Sequence, residues 1–473
     1  MYVGIDAGTS VVKAAAFDED GRTLAVEPRP ARPLRSGARA EQDTEEVVGA
    51  VREVLGALTA RLRRAPAAAG LTGQGDGVWL VDAHGRPVRP AISWMDGRAA
   101  SIVGEWTADG VAAEVFARTG NALFPGCPAP VLAWLDRHEP DSLDAAATAA
   151  YCKDVVFQRL TGVRATDASD ASVPFLDPRT RAYDPDALAA CGLSHRAGLL
   201  APIAEPLPRG AARDGGPLPS GTPITAGPFD VPACALGAGV TEPGDGLLII
   251  GTTLACLAVV DRPALDGEPT GFHFAASRPD RWLRGMPAMV GTAALDWVLE
   301  RIGAAHRDVD ALLAASPPGA HGVRVLPFFS PSGERAPFVE PAARAEITGV
   351  SLETTDADLV RATCEGIAFA ARHCLEAAGL SGALSVAGGG TRSDRWLGLF
   401  ADVLGRPLRV AADEAGARGA VLAGGHGLDV AAWTRPVSVR EPDAGRAAAY
   451  DERYREYRDR VDTARARWSV QQR

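Results

Sequence analysis

Hydrophobic and polar positions divide this chain into short strands and amphipathic helices. An apolar run over residues 2–5 ends in Asp6, Gly8-Thr9-Ser10 interrupts it, and a second apolar run over 11–17 closes at Asp20-Gly21. This is the pattern of a β-hairpin with a glycine-permitted turn. The pattern returns half a chain later, where residues 247–250, the turn Gly251-Thr252-Thr253 and residues 254–260 repeat strand, turn and strand. A repeat that distant predicts a duplicated domain, because solenoid periods are shorter.

Between the repeats, residues 27–40 are rich in proline and arginine and predict a loop. Residues 45–63 carry Val47, Val48, Val51, Val54, Leu55, Leu58 and Leu62 at helical spacing behind a capping residue, and predict a core-facing helix. Residues 78–82 predict a strand. Helical patterns alternate with proline-rich breaks from 99 to 220, and the small polar stretch 166–172 predicts a loop near a cleft. In the second half, Thr355 caps a helix over 356–378 that Gly379 stops. A strand at 384–387 runs into Gly388-Gly389-Gly390 and a helix over 396–404, then come a strand at 407–410 and a helix near 419–425. Residues 450–468 predict a surface helix. The alternation predicts an α/β protein with an N-terminal domain at 1–240, a C-terminal domain at 241–435 and a tail at 436–473.

Length and charge narrow the classes. At 473 residues the chain exceeds a single core. A net charge of −10 argues against nucleic acid or an anionic membrane as partner. The longest apolar stretch, 247–260, is too short to span a bilayer and is broken by its own turn. The N-terminus lacks a basic region followed by an apolar stretch and a cleavage site, and the seven cysteines are scattered without CxxC spacing. These features predict buried thiols, no zinc site and a cytoplasmic location. Among 49 basic residues, Lys13 and Lys153 alone are lysines.

The candidate chemistry sits at the punctuation. The turns Gly8-Thr9-Ser10 and Gly251-Thr252-Thr253 either join strands or offer backbone N–H groups and hydroxyls to phosphate oxygens; two such turns facing each other would grip a triphosphate. Asp6, an acid ending an apolar strand, suits Mg²⁺, which takes carboxylate and water oxygens. Lys13, on the strand leaving the turn, is placed to add a point charge. Three glycines surround Gln74 and Asp76 in Thr72-Gly73-Gln74-Gly75-Asp76-Gly77, marking either a close backbone approach or a turn capped by Asp76. Asp96 and Arg98 beside Trp94 predict an ion pair that pins a loop. Asp230 stands where a strand passes into a helix, as N-cap or as reactive carboxylate. Gly389 and Gly390, followed by Thr391, leave backbone on which a flat ligand can lie.

Taken in order, Asp6-Ala7-Gly8-Thr9-Ser10, Trp94-Met95-Asp96-Gly97-Arg98, Gly227 to Asp230, Gly251-Thr252-Thr253, Gly333-Glu334-Arg335 and Gly388-Gly389-Gly390 resemble the FGGY carbohydrate kinases. That family is a branch of the actin-like ATPase superfamily, with two duplicated ribonuclease-H-like domains around a cleft. The resemblance implies a kinase that uses ATP and Mg²⁺, with Asp230 as catalytic base and Asp6 as Mg²⁺-associated acid, joined in that role by Asp230. It further implies phosphate contacts at Gly8, Thr9, Ser10, Lys13, Gly251, Thr252 and Thr253, an adenosine platform at Gly389, Gly390 and Thr391, and sugar contacts at Gln74, Gly75, Asp76 and Asp230. A homodimer is compatible with it.

Departures from the family pattern bear on the substrate. Xylulokinases usually carry Met-His at Gly75-Asp76 and a lysine at Val131; glycerol kinases carry Arg-Glu at Gly75-Asp76. The string Gly73-Gln74-Gly75-Asp76-Gly77 with Phe229-Asp230 looks closer to the L-xylulose and erythritol kinase subgroup, and the small Gly75 is expected to leave room for a chain longer than glycerol. The family's Gly-Glu-Arg-Thr-Pro reads with Ala336 here, one hydroxyl fewer. The implied reaction is transfer of the ATP γ-phosphate to a small polyol or ketopentose. An actin- or chaperone-like ATPase and a catalytically inactive sugar sensor are the rival readings.

Overall fold

A computed structural model describes residues 1–471, which fall into two compact units. The first comprises Met1–Gly239, Asp261–Leu283 and Asp413–Arg435; the second comprises Val240–Val260, Arg284–Ala412 and the chain from Pro436 onward. Neither unit is one unbroken stretch of sequence.

In the first unit, the strands Tyr2–Ala7 and Val11–Phe17 pair antiparallel as the hairpin, with Asp6 opposite Lys13. Tyr2–Ala7 pairs parallel with Ala68–Gly73, which pairs parallel with Pro223–Ala226, and Arg209–Ala211 closes that edge antiparallel. The other edge is Thr23–Pro30, antiparallel to Val11–Phe17. This corrects the loop expected over 27–40, where Leu34–Ser36 and the start of Arg39–Gln42 are also strands. Proline cannot donate to a ladder, yet an edge strand needs only one side paired, so Pro28 and Pro30 are accommodated there. The helix Thr44–Arg61 begins where the Asp43 carboxylate accepts the N–H groups of Glu45 and Glu46, and it buries Val47, Val51, Val54, Leu55 and Leu58 against the sheet core. The helix Ala415–Ala423 packs so closely on the strands that a Cβ on Gly4 would lie 2.4 Å from the Ala417 carbonyl oxygen, and one on Gly70 2.3 Å from the Ala420 carbonyl.

The second unit repeats the plan. The strands Gly246–Ile250 and Leu254–Val260 form the antiparallel hairpin; Gly246–Ile250 pairs parallel with Leu384–Ala387, that strand pairs parallel with Leu408–Val410, and Ser438–Arg440 closes the edge antiparallel. In order and direction these five strands match five of the first sheet, so the duplication extends beyond the two hairpins, although the second sheet has seven strands against six in the first. The helix Asp356–Ala378 starts in a capping box, with Thr355 and Asp358 exchanging side-chain to backbone bonds, and ends at Gly379 with φ of 93°.

Two further expectations change. Residues 166–172 are not simply the loop expected there: Ala168–Ala171 is a buried helical turn. The tail helix Ala444–Gln471 is not a surface element either, since Tyr450, Tyr454, Tyr457, Val461, Ala464 and Trp468 form a stripe at three- and four-residue spacing that is buried in the second core. Of the seven cysteines, all are free thiols and all but Cys234 are buried. Among the described residues, no helix is long and apolar enough to cross a membrane.

Candidate functional site

The first unit gathers three carboxylates from three distant segments. Asp6 lies at the end of the strand Tyr2–Ala7, one residue before its last, and Asp76 follows the strand Ala68–Gly73, held in the left-handed region at φ of 57°, which a short polar side chain tolerates. Asp230 opens the helix Asp230–Gly237. Phe229 is the N-cap of that helix and makes no side-chain cap, so Asp230 is not the N-cap. Burial pushes the Asp230 carboxyl up to about 8, helped by the charges of Asp6 and Asp76 and opposed by the Val231 N–H. Burial likewise pushes Asp6 up to about 6, with Lys13 opposing and Glu414 adding to the rise.

Asp6 Oδ1 is buried without a hydrogen-bond partner. Its other oxygen would lie 3.3 Å from a Cβ on Gly416, near the start of the helix Ala415–Ala423, whose positive end favours a carboxylate. A buried, orphaned oxygen on a half-buried acid with a second acid nearby is a donor set that fits Mg²⁺. Among the described residues no group of three or more His, Cys, Asp or Glu is arranged to hold a metal. Mg²⁺ is often held by one or two carboxylates while keeping water and substrate phosphate, so the sparse set suits it.

Around these acids runs a polar network that the sequence did not reveal. The Thr9 hydroxyl donates to Gln74 Oε1 (3.1 Å) and accepts from Trp94 Nε1 (2.9 Å). Gln74 Nε2 donates to Gln42 Oε1 at 2.8 Å. Thr9 is therefore turned into the protein, tying the Gly8-Thr9-Ser10 turn to the Gln74 loop, whereas Ser10 is exposed. Lys13 pairs with Glu414 at 3.2 Å, a partner 401 positions away. The expected Asp96–Arg98 pair is present at 2.8 Å, and the Asp96 carboxylate also accepts the Ala40 N–H at 2.6 Å.

One expectation about space is overturned. A Cβ on Gly75 would lie 2.5 Å from Phe229 Cδ2, so the volume beside Gly75 is filled by an aromatic ring and is not open for a longer substrate. That ring stands edge-on to Phe274, centroids 5.0 Å apart. Val131, where xylulokinases carry a lysine, is sealed in an apolar cluster with Leu80 and Ile92.

Beneath the site lies the other lysine. Lys153 is 0% exposed, and its Nζ reaches Asp154, Asp167 and Asp170 at 2.7, 2.8 and 2.9 Å. Nearby, Cys152 Sγ accepts from Gln74 Nε2 and donates to the Ala7 carbonyl, both at 3.7 Å.

The second unit holds a pocket of about 710 Å³ lined by Gly251, Thr252, Asp310, Gly389, Gly390 and Trp396, with Thr292, His306, Arg307, Arg392 and Ser393 also on its wall. The expected residues Gly251, Thr252, Gly389 and Gly390 thus meet in one cavity. Thr253 and Thr391 do not line it, and the Thr391 hydroxyl turns back to the Gly388 carbonyl at 2.8 Å. The Gly251 N–H is spent on the Thr253 carbonyl (3.2 Å), and the Gly251 carbonyl accepts the Thr292 N–H. The turn thus also seats the helix Thr292–Ile302. A Cβ on Gly390 would strike Ile250 Cγ2 at 2.2 Å, whereas one on Gly389 meets nothing within 4 Å. Gly390 is closely packed, whereas the space beside Gly389 is open. Asp310, unforeseen from sequence, accepts the Ser393 hydroxyl at 2.5 Å. Glu334 pins the Gly333-Glu334-Arg335 segment by accepting the N–H groups of Met289 and Arg335, both at 2.9 Å, and Ala336 is buried in the apolar core.

Comparison with known proteins accounts for both halves. The N-terminal domain of the FGGY family of carbohydrate kinases matches residues 1–237 and its C-terminal domain matches residues 246–428. The chain is 36% identical to an erythritol kinase of Brucella abortus (strain 2308), covering 97% of this chain and 95% of that protein. It is 27% identical to the L-xylulose/3-keto-L-gulonate kinase of Escherichia coli (strain K12), over 96% and 95%. A crystal structure of xylulose kinase from Rhodospirillum rubrum superposes with a TM-score of 0.89 at 30% identity, covering 99% of each chain. The two matched domains together span nearly the whole chain, and the chain belongs to the FGGY family of carbohydrate kinases.

Proposed function

We propose that this kinase transfers the γ-phosphate of ATP to a terminal hydroxyl of a small polyol or ketopentose, with erythritol and L-xylulose the leading candidates. The observation that carries the reading is the convergence of Asp6, Asp76 and Asp230 from three separate segments, close enough that Asp6 and Asp76 both hold a proton more tightly on Asp230. Phosphoryl transfer needs positioning and charge neutralisation more than covalent help. In this reading Asp76 accepts hydrogen bonds from the substrate hydroxyls, Gln74, whose amide also bonds Thr9 and Gln42, shapes the wall beside them, and Asp230 orients the reacting hydroxyl and takes its proton as the new P–O bond forms. Asp6, with Asp230, would hold Mg²⁺, which when bound neutralises developing negative charge on the phosphates. The pocket floored by Gly389 takes the adenosine, and the turns at Gly8-Thr9-Ser10 and Gly251-Thr252-Thr253 contact the phosphates. The names of the relatives support the substrate class, a four- or five-carbon polyol or ketose.

The test is a coupled assay of ADP release against erythritol, L-xylulose, D-xylulose, ribulose and glycerol. The reading expects one of the first four to be preferred. A parent enzyme that prefers glycerol, or one that hydrolyses ATP equally without any acceptor, would overturn it.

A further inference from the structure

The helix that presents Asp230 begins without a side-chain cap, so its entry must be fixed by other groups. Two buried hydroxyls do this from opposite sides. Thr72 Oγ1 donates to the Pro228 carbonyl oxygen at 2.6 Å, and Ser169 Oγ accepts the Phe229 N–H at 3.1 Å. The Pro228 carbonyl and the Phe229 N–H belong to one peptide group, the one that leads into Phe229, the N-cap residue before Asp230. We propose that Thr72 and Ser169 are positioning residues that clamp this peptide plane and thereby set the Asp230 carboxylate against Asp6, an inference that rests on the reading of Asp230 as the base.

Each arm of the clamp is itself anchored. Thr72 is fully buried on the strand Ala68–Gly73, in register beside Asp6, so its hydroxyl ties the Asp6 strand to the Asp230 loop. Ser169 is held by its own N–H, which donates to Asp167 Oδ2 at 2.9 Å, and Asp167 and Asp170 on either side of it are both gripped by Lys153. The chain of contacts runs from a buried cation through a short helical turn to the peptide that aims the base. Two hydroxyls on one amide leave its plane little freedom to rotate, and rotation of that plane would swing Phe229 and, through it, the first residue of the helix.

The experiment measures kcat and KM for sugar and for ATP in Thr72→Val, Ser169→Ala, the double variant, Thr72→Ser and Asp230→Asn, with circular dichroism confirming the folded fraction at the assay temperature. Thr72→Val and Ser169→Ala are expected to lower kcat by about 10- to 100-fold, the order that small misplacements of a reacting group produce, with KM for ATP unchanged. Because both hydroxyls hold the same amide, the double variant should lose less than the product of the two single losses. Thr72→Ser, which keeps the donor, should restore most of the rate. Folded single variants that turn over at the parental rate while Asp230→Asn is silent would overturn the clamp and leave the base assignment standing. Parental turnover in Asp230→Asn would overturn the base assignment and the clamp with it.

Discussion

Replacing Lys153 by methionine tests whether the buried cation holds the first unit together. Methionine roughly fills the volume but leaves Asp154, Asp167 and Asp170 without the ammonium that reaches each of them at 2.7 to 2.9 Å. Removing one partner from a buried ionic group costs about 3–5 kcal/mol. Protonation limits the loss: neutralising a carboxyl of ordinary pKa near 4 at pH 7 costs roughly 4 kcal/mol, at about 1.4 kcal/mol per unit. Burial already raises Asp154 and Asp170, with Lys153 opposing, so deleting the lysine raises them further. A carboxyl raised above its unfolded value stabilises most below that unfolded value, and the contribution is lost as pH rises. The variant's folded state holds about one extra proton, so its deficit should be about 4 kcal/mol at pH 7 and smaller by roughly 2–3 kcal/mol at pH 5. Urea unfolding of parent and variant at the two pH values reads both numbers. A deficit below about 1 kcal/mol at pH 7, or one that does not change with pH, would show that the three acids do not depend on Lys153.

Asp230→Asn should keep the fold and sugar binding while lowering kcat by on the order of 10² to 10⁴ in the ADP-release assay, the usual worth of a general base. Asp6→Ala should weaken Mg²⁺-dependent use of nucleotide and leave sugar affinity nearly intact; an unchanged Mg²⁺ titration at fixed ATP would count against it. Asp76→Ala should lower kcat/KM for the preferred sugar by roughly 10²-fold or more, because a site built to pair hydroxyls is left unpaired, whereas a loss of stability with the sugar ranking unchanged would mean that Asp76 only shapes its turn. The adjacent glycines should separate packing from binding: Gly390→Ala meets Ile250 at 2.2 Å and should lower Tm, while Gly389→Ala, with open space around it, should keep Tm and raise KM for ATP. Equal behaviour of the two would remove Gly389 as the platform.

Much of this fold is written in local signals. The two hairpins and the helix Asp356–Ala378 follow from apolar runs, a capping box and a stopping glycine, all of which act over a few residues. Proline obscured the strand Thr23–Pro30, because a residue that disrupts a central strand is tolerated on an edge. The stripe from Tyr450 to Trp468 is present in the sequence at helical spacing, but the many charges between its members give the helix the composition of a surface element. The candidate acids Asp6, Asp76 and Asp230 were legible because each sits at a turn or a strand end. Their supports were not: Lys13 is paired with a residue 401 positions away, and Lys153 with acids on another segment, and no local pattern signals such partners. The space beside Gly75 is illegible for the same reason, since the ring that fills it comes from Phe229.

The helix Ala415–Ala423 has a consequence for how the protein is made. It belongs to the first unit and covers glycines of that unit's two central strands, yet it lies about 170 residues beyond the end of the first long segment of that unit. At a synthesis rate of about 5–20 residues per second, the sheet that carries Asp6 waits roughly 10–40 s for the element that seals one of its faces. Until then, small-residue strands shaped for that helix are exposed on the ribosome, a stage at which a chaperone would be useful. For the same reason a polypeptide ending near residue 412 would lose more than its C-terminal part: the half bearing the carboxylates would itself lack a wall, and premature termination there should yield aggregation-prone chain instead of an isolated sugar-binding domain.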